Sequence, residues 1–152
     1  MIMVGEIRDA DTARIAVQAS LTGHLVFSTL HTNDAASAVT RLIDLAIEPY
    51  LVSASLSAIL AQRLVRMLHG PCGGHGCEEC LQTGFRGRGG LFELMTVDEP
   101  IRELIARHAG LSELRAAAKA GGLRTLRDEG HRLVAEGRTT QAEAHRVVEG
   151  SA

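Results

Sequence analysis

Lysine is nearly missing from this 152-residue chain: Lys119 is the only one, and every other strongly basic residue is arginine. No loop of the form G-x-x-x-x-G-K-[ST] occurs in the sequence, so these residues hold neither the phosphate-cradling lysine nor the Mg²⁺-binding hydroxyl of such a loop. Long apolar runs are lacking as well. None approaches the roughly 20 residues needed to span a bilayer, and the start has neither the basic residues nor the apolar stretch of a secretory signal. The formal net charge is only −2, which gives no general attraction to nucleic acid or an anionic membrane. Cysteine is absent outside Cys72, Cys77 and Cys80. Three clustered cysteines argue against a disulfide framework and for a metal site or reduced thiols. The expectation is a cytoplasmic protein.

The chain is 45% hydrophobic, enough for one domain with a sizeable core, or a domain with a small appendage. The run "IMVG" predicts a strand buried on both faces of a parallel sheet. Asp9 is placed to cap a helix carrying Ala13, Ala16, Val17 and Ala19, with Gly23 as its stop. "HLVFSTL" predicts a second strand. From a cap at Asn33, "DAASAVTRLIDLAI" puts Ala36, Val39, Leu42 and Ile43 on one helical stripe. Pro49 opens a helix expected to run through "YLVSASLSAIL". Strand, helix, strand, helix, helix predicts an α/β fold with a parallel sheet.

Beyond these elements "GPCGGHGCEECLQTGFRGRGG" is too rich in Gly, Cys and Arg for a helix or core strand and predicts a loop module. "LFELMTV" reads as a strand and "DEPIRELIARH", "LSELRAAAKA", "LRTLRDEGHRLVAEG" and "TTQAEAHRVVEG" as helices. The expected division is a core over 1–68, a Cys/His-rich loop and Gly/Arg linker over 69–90, and a strand with a helical subdomain over 91–152.

Glu6, in "MVGEIRD", sits at the tip of a buried strand. A carboxylate there is held at the carboxyl edge of a sheet, where α/β proteins bind ligands, and can orient or deprotonate a water attacking a phosphate. His24 and His31 bracket the second strand, seven residues apart, and in a regular strand they face opposite ways. His31, at a strand-to-helix turn with Thr32 and Asn33, is better placed for a phosphate. For either histidine, a satisfied core or turn residue is the plain competing explanation.

"IMVGEIRDADTARIAVQASLTGHLVFSTLHTNDAASAVTRL", continuing through "AQRLVRML" and "GFRGRGGLFELM", resembles the ATPase family that powers type II secretion and type IV pilus assembly. The resemblance runs over nearly the whole chain and matches the second half of that family's RecA-like ATPase domain, a P-loop NTPase fold. It implies that "MVGEIRD" is an atypical Walker B segment with Glu6 as the catalytic carboxylate, and that "TGHLVFSTLHT" is a histidine box in which His31 meets the terminal phosphate. It assigns Arg8, His24, Arg63 and Arg66 to the nucleotide site or subunit contact, where surface ion pairing is the bland alternative. The family implies ATP and Mg²⁺ as cofactors, a hexamer, and inner-membrane secretion or pilus platform proteins as partners that hold the enzyme peripherally at that membrane.

In the family a Walker A loop, an acidic box and an N-terminal domain precede this segment. The expectation is therefore a C-terminal portion, inactive in ATP hydrolysis by itself, with an exposed edge along Ile2 to Val4.

"HGPCGGHGCEEC" spaces His69 and Cys72 as H-x-x-C and Cys77 and Cys80 as C-x-x-C. Two such pairs supply four ligands to a tetrahedral zinc, and four protein ligands make its role structural. His75 is the alternative to His69 as the fourth ligand. Many members of the resembled family carry two C-x-x-C pairs here with a longer insert; in this chain His69 stands at the first cysteine's place and the insert is Gly73, Gly74, His75 and Gly76. "GFRGRGG" has an RNA-binding flavour, but one short copy does not make a nucleic-acid partner the expectation. The rival to the ATPase reading is a non-catalytic zinc-containing interaction module.

Overall fold

Short apolar runs alternating with capped helical stretches set up the first part of the chain. In the computed structural model, which describes residues 1–150, β1 (Ile2–Val4) leads through α1 (Ala10–Leu21) to β2 (Val26–Ser28), then α2 (Ala35–Asp44) and α3 (Pro49–Ser55). The strands pair in parallel, Ile2 opposite Val26, Met3 opposite Phe27 and Val4 opposite Ser28. α1 supplies the long crossover a parallel pair requires. Asp9 caps α1 through the N–H of Thr12 at 2.8 Å, and Gly23, at φ 90°, turns the chain after it. The expected fold class, α/β, is the one observed.

Several local expectations are corrected. α2 is capped by Asp34 instead of Asn33: Asp34 has the extended backbone of an N-cap and accepts from the N–H of Ser37 at 2.7 Å. β1 is not buried on both faces. Met3 is 80% exposed and its register partner Phe27 is exposed too, because the helices packed with this sheet cover only the face of Ile2 and Val4. His24 lies outside β2, which is only three residues long.

The helix from Pro49 ends at Ser55, where Leu56 turns extended, and Ala58–Leu68 forms β3. Period-two burial replaces helical spacing there: Ile59, Ala61, Arg63 and Val65 are more buried than the residues between them. "FRGRGG" is not loop but the start of β4 (Phe85–Thr96). The N–H of Val97 donates to Ser57 at one end of the hairpin and that of His69 to Gly84 at the other, so β3 and β4 are antiparallel. The strand tolerates its glycines because side chains lie over them. A Cβ on Gly89 would meet the Met67 sulfur at 2.7 Å, and one on Gly90 the Phe92 ring at 2.4 Å.

Two compact units result. The first comprises 1–60 and 94–123, the second 61–93 and, of the described residues, 124–150. Each draws on two stretches of sequence. In the first unit α4 (Glu99–Ala106) packs with α3 and with α5 (Leu111–Ala120). Its interior holds Ala13, Val39, Val52, Ile105 and Leu114, and Arg102 ties α4 to α3 by donating to the Ser53 carbonyl at 2.6 Å. In the second, α6 (Leu126–Ala135) and α7 (Gln141–Glu149) pack together. Val65 and Leu91 of the hairpin form a core with Leu126, Leu133 and Val147. Among the described residues no helix is long and apolar enough to cross a membrane.

Candidate functional site

Because β1 and β2 are parallel, the segments that follow them leave the sheet at the same edge. Backbone bonds continue the pairing past the strands: Ile7 N–H donates to Thr29 at 2.9 Å, and the Thr29 hydroxyl donates to the Gly5 carbonyl at 2.8 Å. That scaffold brings Glu6 and His31 together. His31 Nε2 lies 3.0 Å from Glu6 Oε2, and Arg8 Nε donates to the same oxygen at 2.7 Å. The hydrogen bond with His31, followed by that with Arg8, holds the Glu6 carboxyl below its usual range. An ionised carboxylate only accepts, so the contact requires the proton on His31 Nε2. With both donors on Oε2, Oε1 is the oxygen left to accept from a water.

His24 is not part of this group. It precedes β2 while His31 follows it, and its Nδ1 lies 3.3 Å from the Thr22 hydroxyl. Arg63 and Arg66 belong to the second unit. Arg66 is committed to α7: its N–H and guanidinium donate to Glu143 at 3.1 and 2.7 Å, and it stacks 4.4 Å from the centre of the Phe85 ring. Arg63 lies half-buried on the opposite face of β3.

The second constellation forms where the hairpin strands meet the cysteine loop. His69, Cys72, Cys77 and Cys80 bring one donor atom each into a group whose members all lie within 4.8 Å of one another. Tetrahedral zinc, with Zn–S about 2.3 Å and Zn–N about 2.0 Å, places sulfurs about 3.8 Å apart and sulfur and nitrogen about 3.5 Å apart. The structure has Cys72 Sγ to Cys80 Sγ at 3.9 Å, Cys77 Sγ to Cys80 Sγ at 3.7 Å and Cys77 Sγ to His69 Nδ1 at 3.3 Å. The donor set fits such an ion. His69, only 5% exposed, is the histidine of this group, and His75 is exposed and outside it.

The loop also favours the thiolate of Cys80. Cys77 and Gly84 point their backbone N–H groups at Cys80 Sγ from 3.2 and 3.3 Å. Burial pushes the Cys80 thiol up, but these bonds and those from the Cys77 and Cys72 side chains outweigh it and bring the thiol down to about 6. Leu81 and Gln82, both left-handed at φ 53° and 60°, turn the chain so that Gly84 can make its bond. Gly84 has φ +74°, and a Cβ on it would lie 2.2 Å from the Gly74 carbonyl oxygen.

Two side chains here escaped the sequence reading. Glu79, between the paired cysteines, places Oε2 3.4 Å from His69 Nε2, and Arg86 places its guanidinium 3.2 Å from that same oxygen. A carboxylate inside the C-x-x-C pair was the available signal. The other is Glu143, 1% exposed at its side chain, which nothing in the helical pattern of its segment distinguishes from the other acids.

The sequence model of the Type II/IV secretion system protein family matches residues 1–146. The chain is 53% identical to the type II secretion system protein HxcR of Pseudomonas aeruginosa, over 97% of its own length and 33% of that protein's. It is 45% identical to the type IV pilus assembly ATPase TfpB of Acinetobacter baylyi, over 97% of its own length and 30% of that protein's. It thus spans about a third of the length of these relatives. Among solved structures, the Yersinia pseudotuberculosis ATPase DotB aligns over 99% of the chain and 37% of that protein, with a TM-score of 0.76 and 25% identity.

Proposed function

Because the chain belongs to the Type II/IV secretion system protein family, matched over residues 1–146, we propose that its first unit carries the water- and phosphate-facing part of an ATP site. Glu6 is the carboxylate that orients the attacking water, and His31 is the residue that meets the terminal phosphate. The observation that supports this most is the 3.0 Å contact between them across the carboxyl ends of two parallel strands, the edge at which open α/β sheets bind ligands. ATP with Mg²⁺, when bound, supplies the phosphoryl group and the cation that neutralises its charge. Glu6 then holds the water through Oε1 while Arg8 keeps the carboxylate ionised and in place. His31, carrying its proton on Nε2, responds to the phosphate by exchanging one anionic partner for another. His24, Arg63 and Arg66 contribute at the nucleotide site or between subunits.

Hydrolysis at this site drives protein secretion or pilus assembly in a hexamer docked on inner-membrane platform proteins at the cytoplasmic face. His69, Cys72, Cys77 and Cys80 hold a structural zinc, a reading supported by the spacing of their donor atoms. These 152 residues contain no Walker A lysine and do not turn over ATP by themselves. Mg²⁺-ATP turnover by the folded chain tests that point: no turnover is expected. Turnover that disappears in Glu6→Gln would show that the missing cradle is dispensable. The metal cluster favours one competing role, that of a zinc-containing interaction module. A grafted chain that never supports ATPase activity in a relative would point to it.

A further inference from the structure

A histidine in a zinc cluster otherwise made of thiolates brings a requirement that a cysteine does not. Once one imidazole nitrogen faces the metal, the other carries a proton and needs an acceptor; left without one in a buried position, it costs a hydrogen bond and leaves the ring free to rotate. In this chain Nδ1 of His69 faces Cys77 Sγ at 3.3 Å, so Nε2 is the outward nitrogen. The side chain is buried, and Glu79 Oε2 stands 3.4 Å from Nε2.

Resting on the zinc reading above, we propose that Glu79 is the positioning residue of this metal site: it accepts the Nε2 proton of His69, fixes the tautomer that presents Nδ1, and is itself held by Arg86. The arrangement is metal, imidazole, carboxylate and guanidinium in series. Arg86 has a definite part in it. Three thiolates already outweigh the charge of a divalent ion, and a further carboxylate is tolerable beside them because a cation 3.2 Å away offsets it. Placement of Glu79 follows from the same turn that builds the cluster. Glu78–Cys80 is one turn of 3-10 helix, which points the residue before Cys80 away from the sulfurs and toward the far side of the histidine ring. Glu78, one residue earlier and equally charged, makes no such contact among the described residues.

Outer carboxylates of this kind typically contribute about 10- to 100-fold in metal affinity. The test is Zn²⁺ affinity by competition with a chromophoric chelator, and the ligand-field spectrum of the Co²⁺ form, for the 152-residue chain and its Glu79→Ala, Glu78→Ala and His69→Cys variants. Glu79→Ala is expected to weaken Zn²⁺ by about 10-fold or more and to shift the Co²⁺ bands, while Glu78→Ala changes affinity by less than about 3-fold. In a His69→Cys background, with no second ring nitrogen to orient, Glu79→Ala should lose its effect. Equal losses for Glu78→Ala and Glu79→Ala would reduce Glu79 to a general electrostatic contribution and overturn the proposal, and they decide the matter even if His69→Cys binds no metal. An unaltered affinity in Glu79→Ala would overturn it as well. A parent chain that binds neither Zn²⁺ nor Co²⁺ would refute the zinc reading itself, a distinguishable failure. Glu79 is exposed, so circular dichroism should show all the Glu variants folded.

Discussion

Replacing Glu143 by alanine removes a buried carboxylate that takes part in four hydrogen bonds of the second unit. Its two oxygens accept from the Arg66 N–H at 3.1 Å, the Arg66 guanidinium at 2.7 Å, and Arg146 at 2.9 and 2.6 Å. The two guanidinium groups are half-exposed and recover water, so only part of their interaction is lost. The Arg66 N–H and the space left by the buried side chain recover less. Taking about 1–2 kcal/mol for the deprived donor and about 1–2 kcal/mol for the partly solvated charged bonds together, the loss comes to about 3 kcal/mol. Urea unfolding at pH 7, followed by circular dichroism, measures it. Glu143→Gln should lose nearly as much, because its amide group turns a donor toward one of the arginines.

The pH dependence has a definite sign. Arg146 first, and Arg66 next, hold the Glu143 carboxyl far below its ordinary 4.5, so on acidification the unfolded chain takes up a proton before the folded one does. The contribution is complete above the ordinary value and is lost as the pH falls from there toward the folded value. The gap between parent and Glu143→Ala should therefore narrow steadily below about pH 4.5. A loss under about 0.5 kcal/mol at pH 7, or a gap that does not narrow in acid, would refute the account of Glu143 as the clamp between β3 and α7.

Gly84→Ala should abolish tight Zn²⁺ binding, since the new Cβ would collide with the Gly74 carbonyl and strain a φ of +74°; the same chelator competition measures it. Stripping the metal from the loaded chain should lower the thermal midpoint of the second unit, and restoring Zn²⁺ should recover it. Leu91→Ala, at a fully buried hairpin position, should cost about 3 kcal/mol in urea unfolding.

Much of this was legible in residues that act locally. Asp9 and Pro49 announce helix starts through backbone chemistry that depends on few neighbours. His69, Cys72, Cys77 and Cys80 announce a metal cluster because x-x spacing alone brings paired donors together. The pairing of Glu6 with His31 could be approached only as two residues at strand ends; it took the parallel register of β1 and β2 to join residues 25 positions apart. What stayed illegible depends on long-range partners. "SLSAIL" is a short apolar run that suits a helix or a strand equally, and only pairing with β4 decides for β3. Gly89 and Gly90 look like loop residues until Met67 and Phe92 are seen lying over them. Met3 looks like core because the run around it is apolar, yet the first unit covers only the other face of its strand. Glu79 was hidden because an acid in a polar loop has no reason to stand out until His69 is found with a nitrogen facing it.

The most direct test of the central claim replaces the matching third of the Acinetobacter baylyi pilus assembly ATPase TfpB, 45% identical to this chain, with residues 1–146. ATP turnover by the hybrid should survive, fall by about 10²- to 10⁴-fold in Glu6→Gln, and fall in His31→Ala as well. A hybrid that turns over ATP undiminished with glutamine at position 6 would contradict the assignment of Glu6 as the residue that orients the attacking water.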